Sequence, residues 1–279
     1  MKLVDTPYVA FLDSDDWLMP HYVEKIAYYL DRNQNENVEI IMVLPQIFNE
    51  GSKVTKDWYD KPLFEQVFPA DGCIINPEEC PDIYRFEVNF CRKILKTEFI
   101  RAIHFEFREK IKWEDVYPHF YLLSSCTSCM GISEVGFYYR VGGKNQITAS
   151  RGADRLDLLY AFDDLLQFLS GEDKKLLYYP AMRVMVRFSI WCIRMADTDI
   201  RRILVEKLHD LFKKLPSAYC HALRKGVREN CSRADAMQYL LFVTAIRCKG
   251  LNFIFYDYLW QEIGEKIIKK LLRAGERVE

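Results

Sequence analysis

The chain has 279 residues, half of them hydrophobic and 14% aromatic, with a formal net charge of −1. That is ample apolar material for one large domain or two small ones, and it excludes a disordered chain. The near-neutral total hides an asymmetry: residues 1–150 carry 23 acidic and 16 basic side chains, whereas residues 151–279 carry 17 acidic and 23 basic.

In chain order, residues 8–12 (YVAFL) form a short apolar run closed by acids, the pattern of a buried strand in a parallel sheet. Residues 20–30 follow as a helix, with Pro20 in its first turn and Val23, Ile26, Ala27 and Leu30 as the apolar stripe. Residues 38–44 (VEIIMVL) are a second buried strand, so the three elements read as a βαβ unit. The stretch 49–90 is rich in Asp, Glu, Pro, Gly and aromatics. It reads as a long surface excursion of the kind that serves as a lid or substrate-binding loop. A strand is expected over 90–95, a short helix over 96–103, and a helix over 114–125 with Val116, Phe120, Leu122 and Leu123 inward. A last strand is expected over 132–141, broken by Gly142-Gly143.

From Asp154 the periodicity becomes helical throughout. Leu156, Leu159, Phe162, Leu165, Leu166 and Leu169 share one such pattern, and 200–212, 234–246 and 260–272 repeat it between breakers at Gly171, Pro216-Ser217 and Gly250. Trp191 and Trp260 fit this half as core residues. Two domains are therefore expected, an α/β domain over 1–150 and an α-helical bundle over 151–279. The most apolar stretch, 176–195, contains Arg183, Arg187 and Arg194. At roughly 2.5–3.5 kcal/mol for each mid-membrane arginine, a spanning helix is not expected. Nine scattered cysteines and no apolar leader after Met1 suggest reduced thiols in a cytoplasmic chain. Cys126 and Cys129 have CxxC spacing but no second pair at zinc-site distance, and read as structural.

The chemistry concentrates in Asp13-Ser14-Asp15-Asp16-Trp17, at the carboxyl end of the first strand, where open α/β sheets bind ligands. Carboxylates this close repel one another unless a cation neutralises them. An all-oxygen donor set favours a hard ion, Mg2+ or Mn2+, which can bridge a diphosphate leaving group. The plainer alternative is a capping turn, with Asp13 or Asp16 starting the helix at Pro20.

The stretch 7–20 (PYVAFLDSDDWLMP) resembles the DxD segment of glycosyltransferase family 2. Residues 90–100 (FCRKILKTEFI) are similar to that family's strand-helix segment before the acceptor site. Trp113-Glu114-Asp115-Val116 resembles its ED motif. Phe137-Tyr138-Tyr139-Arg140 and Asn145-Gln146-Ile147-Thr148 resemble the strand and loop closing its sugar-nucleotide site. These segments span 7–150.

The resemblance implies a GT-A-like, Rossmann-like sheet and inverting transfer of a sugar from a nucleotide-diphosphate sugar, a UDP-sugar first, to a hydroxyl. It implies Asp115 as general base and Glu114 as a holder of the acceptor. Both would lie in the first turn of the 114–125 helix, where the dipole favours an ionised carboxylate; helix initiation is the plain alternative. Asp15 is the first metal ligand implied, with Asp13 at the metal or the ribose, Asp16 a second ligand or a cap, and Arg140 and Lys144 at the diphosphate. His119, one turn past Asp115, reads as a supporting or packing residue.

Family members begin with further βα units that hold the base and ribose. Residues 1–6 correspond only to the helix before the DxD strand, so the nucleotide-binding domain reads as truncated, with an exposed sheet edge. Weak nucleotide binding is expected, and the edge favours a homo-oligomer. The acceptor classes implied are a cell-surface glycan or a teichoic-type polyol phosphate. The basic half reads as a solvated helical surface, or as a face for that polyanion or for the inner face of a membrane, touched peripherally. No nucleic-acid partner is expected. A non-catalytic binding or scaffold module derived from such a transferase is the alternative reading.

Overall fold

The computed structural model describes residues 3–256, apart from 144, 145, 147, 148 and 172. The expected helix over 260–272 and Trp260 lie outside the described residues. Within them the chain is α/β, with a mixed sheet in the first half and helices throughout the second. It divides into two units, 1–109 with 114–149, and 110–113 with 150–279.

The sheet of the first unit has seven strands, and its backbone is β3 (Ile40–Asn49). Residues Ile40–Leu44 are all at most 2% exposed, because strands flank β3 on both sides and side chains cover both faces. On one side β3 runs parallel to β7 (Cys129–Val141), from Ile40 opposite Cys129 to Asn49 opposite Val141. On the other, β6 (Lys93–Lys96) pairs antiparallel with its first residues and β4 (Val54–Asp57) with its last. β7 is likewise shared, between β5 (Cys73–Ile75) and β2 (Trp17–Leu18). β1 (Tyr8–Ala10) joins the end of the sheet against β6, giving the order β1-β6-β3-β7-β2.

Three expectations change. The first strand stops at Ala10 and is partly exposed rather than buried, because β6 is its one partner among the described residues. β1 and β3 are not neighbours: β6 lies between them, antiparallel to both. Helix α1 (Tyr22–Arg32) turns Tyr22, Ile26, Tyr29 and Leu30 onto the sheet core of Val38, Ile41, Val43, Ile94 and Ile132, leaving Val23 and Ala27 outside. Either stripe satisfies a 3.6-residue period. The aromatic bulk of Tyr22 and Tyr29 buries more area than Val23 and Ala27 would.

The stretch 49–90 is not a surface excursion. It supplies β4, α2 (Lys61–Val67), β5 and a 3-10 turn over Pro81–Arg85, and buries Trp58, Phe64, Phe68, Ile83, Tyr84 and Phe86. Phe68 lies flat against Gly131 of β7: a Cβ there would sit 2.1 Å from the ring, so only glycine admits it. Arg92 secures the stretch. It is fully buried, lies 5.2 and 5.3 Å from the Phe86 and Phe64 ring centres, and donates to Asp60 Oδ2 at 2.7 Å. The same oxygen accepts the Glu87 N–H at 2.6 Å.

Helix α3 (Thr97–Ala102) follows β6 directly, and α4 (Val116–Ser125) buries Val116, Phe120, Leu122 and Leu123. The second unit holds α5 (Asp157–Leu169), α6 (Tyr178–Met195), α7 (Thr198–Lys214), α8 (Ser217–Asn230), α9 (Arg233–Arg247) and α10 (Phe253–Tyr256). In α5 the inward stripe is Leu158, Ala161, Phe162, Leu165 and Leu169. Two buried arginines bind main-chain carbonyls. Arg155 donates to Ser150 O and lies 4.4 Å from the Trp191 ring centre; Arg201 donates to Ile193 O and Ala196 O, at the negative end of α6. Among the described residues no helix is long and apolar enough to cross a membrane.

Replacing Asp60 by alanine leaves the Arg92 guanidinium buried without its counter-charge. A loss of about 3–5 kcal/mol is expected, measured by urea denaturation. A loss under about 1 kcal/mol would show that this pair does not hold the 49–90 stretch.

Candidate active site

The acidic segment owes its position to topology. β1 and β2 stand at opposite ends of the strand order, and residues 11–16 connect them, so this segment must pass across one end of the sheet. Phe11 anchors its start, packing edge-on against Phe90 at 4.9 Å and Phe107 at 5.9 Å. A turn closes from Asp16 N–H to Asp13 O, and Trp17 then enters β2 opposite Tyr138. Neither aspartate caps α1, whose N-cap is His21 with no side-chain capping bond. The capping alternative is thereby removed for both.

Each carboxylate of the turn meets a different element. Asp13 keeps solvent access and touches the Cys91 thiol; burial and the Asp15 charge push its carboxyl up, and the thiol contact pulls it down. Asp15 Oδ2 accepts the Gln146 side-chain amide at 3.0 Å. Asp16 is 9% exposed, and its Oδ1 accepts the Arg140 N–H at 2.8 Å. Its Oδ2 is buried with no hydrogen-bond partner. Burial raises the Asp16 carboxyl to about 7, with Asp13 and Asp15 adding to the rise and Arg140 opposing it.

Glu114 and Asp115 precede α4 instead of occupying its first turn, since the helix begins at Val116. Glu114 is exposed. Asp115 stands at the N-cap position but makes no capping bond; its Oδ2 accepts the Phe90 N–H at 3.1 Å. Its carboxylate stands at the positive end of the α4 dipole but gives the helix no capping hydrogen bond. Burial raises its carboxyl to about 7; Lys93 opposes that rise, while Glu114 and Asp13 reinforce it.

The two acidic motifs thus share one support, the turn that leads into β6. Phe90 holds Asp115 through its N–H and Phe11 through its ring, and Cys91 meets Asp13. The fields of Asp13 and Asp115 reach each other directly. Arg140 enters through its main chain, which holds Asp16, and its charge also favours the ionised Asp16. Lys144 lies outside the described residues, as do Asn145, Ile147 and Thr148. His119 is fully buried, both ring nitrogens lack partners, and burial holds it well below the ordinary histidine value as a neutral ring. Cys126 and Cys129 are free buried thiols.

Several contributors were not singled out from the sequence. Gln146 bridges the loop to the site, donating to Asp15 and to Arg140 O while its Oε1 accepts the Gly143 N–H. Tyr139 lies close enough for Asp13, Asp15 and Asp16 to raise its phenol, although burial raises it more. Lys93 was hidden inside an apolar strand pattern. Among the described residues no three acidic, His or Cys groups already stand in coordinating positions. A hard cation held by one or two carboxylates, with phosphate and water completing its shell, suits such a donor set. The orphaned oxygen of Asp16 is the atom with most to gain from one. Comparison with protein-family models and with curated proteins finds no match to this chain.

The raised acids have a stability consequence. From the ordinary value of 3.8 up to about 7, the folded chain keeps a proton on Asp16 that the unfolded chain has released. This contribution is therefore present at low pH and lost as pH rises through that window. In EDTA, the melting temperature of the Asp16→Asn variant is expected to fall less between pH 4.5 and 7.5 than that of the parent. Parallel melting curves across that range would contradict the assignment.

Proposed function

We propose that the first unit is the catalytic part of a metal-dependent, inverting glycosyltransferase of the family-two, GT-A-like type. The observation that supports this reading is the convergence of Asp13 and Asp115, about a hundred residues apart, on the single turn before β6. The donor proposed is a nucleotide-diphosphate sugar, a UDP-sugar first. The acceptor proposed is a hydroxyl of a cell-surface glycan or polyol-phosphate polymer, reached in the cytoplasm or at the inner membrane face.

In this mechanism Asp115 accepts the proton of the acceptor hydroxyl as its oxygen bonds to the anomeric carbon. The bond from that carbon to the diphosphate breaks on the opposite face, and the nucleoside diphosphate leaves with the electron pair. A carboxylate with its value near 7 is well matched to a base working at neutral pH, because it is substantially ionised yet basic enough to take the proton. Glu114, exposed beside it, orients the acceptor. Asp15, Asp16 and Asp13 supply oxygen ligands for Mg2+ or Mn2+, an ion whose chemistry is to neutralise the departing diphosphate. Arg140 adds positive charge beside Asp16.

The test is release of UDP from a panel of UDP-hexoses and UDP-N-acetylhexosamines, with Mn2+ or Mg2+ and with EDTA. Activity is expected only with the cation, and the Asp115→Asn variant should lose about 100-fold or more. Undiminished turnover in that variant would refute the assigned base. No turnover with any donor would favour the binding-module reading.

A further inference from the structure

Lys93 is the first residue of β6 and is only 1% exposed. Its ammonium donates to Asn89 O at 2.8 Å and sits 5.8 Å from the Phe90 ring centre. One carbonyl and one ring face do not compensate a buried cation, which costs several kcal/mol to desolvate. The turn that carries it is tightly closed: Lys93 N–H donates to Phe90 O, and Arg92 N–H donates to Asn89 Oδ1. The N–H of Phe90, inside this turn, is the one that holds Asp115.

We propose that Lys93 is the positioning residue of Asp115, a buried counter-charge that keeps this carboxylate ionised while the Asn89–Lys93 turn fixes its orientation. The proposal rests on the reading of Asp115 as a base, but its geometry does not depend on the donor or acceptor. The Asp115 charge favours the ammonium form of Lys93, and the Lys93 charge favours the ionised form of Asp115. The other groups facing the pair work against it or act weakly. Glu114 and Asp13 disfavour the Asp115 charge. Arg92 disfavours the Lys93 charge, while the Cys91 and Cys129 thiols favour it slightly, and the His119 ring lies within the field of Lys93. Arg92 is not a rival counter-ion, because Asp60 already holds it.

The pairing is tested by carbon-13 NMR titration of the aspartate carboxyls in EDTA, with the Asp115 signal assigned from the Asp115→Asn spectrum. Lys93→Met keeps the length of the stem and removes the charge. The Asp115 midpoint is expected to rise by about 1–3 pH units, the range for loss of a close opposite charge. An unchanged midpoint overturns the proposal. Should Lys93→Met alone fail to fold, the double variant Lys93→Met/Asp115→Asn is compared with Asp115→Asn. A true pair requires the double variant to unfold at a higher urea concentration, since it no longer buries a lone ammonium; a lower concentration overturns the proposal. The titration needs no substrate. A shifted midpoint without UDP release would keep the pair and discard the transferase, and turnover with an unshifted midpoint would do the reverse.

Discussion

Four carboxylates gathered at one end of a small sheet are the constraint on which this molecule turns. Asp13, Asp15, Asp16 and Asp115 repel one another; burial raises the Asp13 carboxyl, and raises those of Asp16 and Asp115 to about 7. Each is nevertheless held, by a thiol, an amide side chain or a main-chain N–H from another part of the chain. Such contacts lower the cost of bringing the acids together without cancelling it. A fold built only for stability would not concentrate unpaired charge in this way, and strain kept at one place is a common mark of a working site.

The surrounding architecture supports the turn into β6 on which Asp13 and Asp115 meet. β3 fixes the sheet by pairing along its whole length, with β7 on one side and with β6 and β4 on the other. The turn into β6 is held by Arg92, which pairs with Asp60 and packs on the aromatic rings of the 49–90 stretch. The rings of Phe11, Phe105 and Phe107 pack with Phe90 of the same turn. Non-polar packing and one buried ion pair thus carry the load that the acidic groups cannot. In the helical unit, Arg155 and Arg201 donate to main-chain carbonyls, and Arg155 also packs on the Trp191 ring.

Much of this was legible in the sequence, for identifiable reasons. The α4 stripe of Val116, Phe120, Leu122 and Leu123, and the buried run of β3, have strong periodic or continuous apolar signals, and both are buried in the structure. Gly142 breaks β7 after Val141 as its position suggested, with a φ of +87°. The acidic turn announced itself by charge density. What could not be read is everything set by strand order. Nothing local says that β6 inserts between β1 and β3, so neither the exposure of β1 nor the meeting of Cys91 with Asp13 could be foreseen. The 49–90 stretch misled because its polar composition resembles a loop, while its burial depends on Arg92, a residue outside it. Lys93 was invisible for the same reason: only the fold shows that this lysine of an apolar strand pattern is buried.

The path of residues 11–16 has one more implication. This segment is tied down by β1, three residues long, and by β2, two residues long, the two terminal members of the strand order. Short edge strands are where native proteins open first, at free energies far below that of global unfolding. The acidic segment is therefore suspended between two short strands at the ends of the strand order. Any ligand that cross-links its carboxylates would raise the protection of the β1 and β2 amides against hydrogen exchange, because binding and local closure draw on the same free energy.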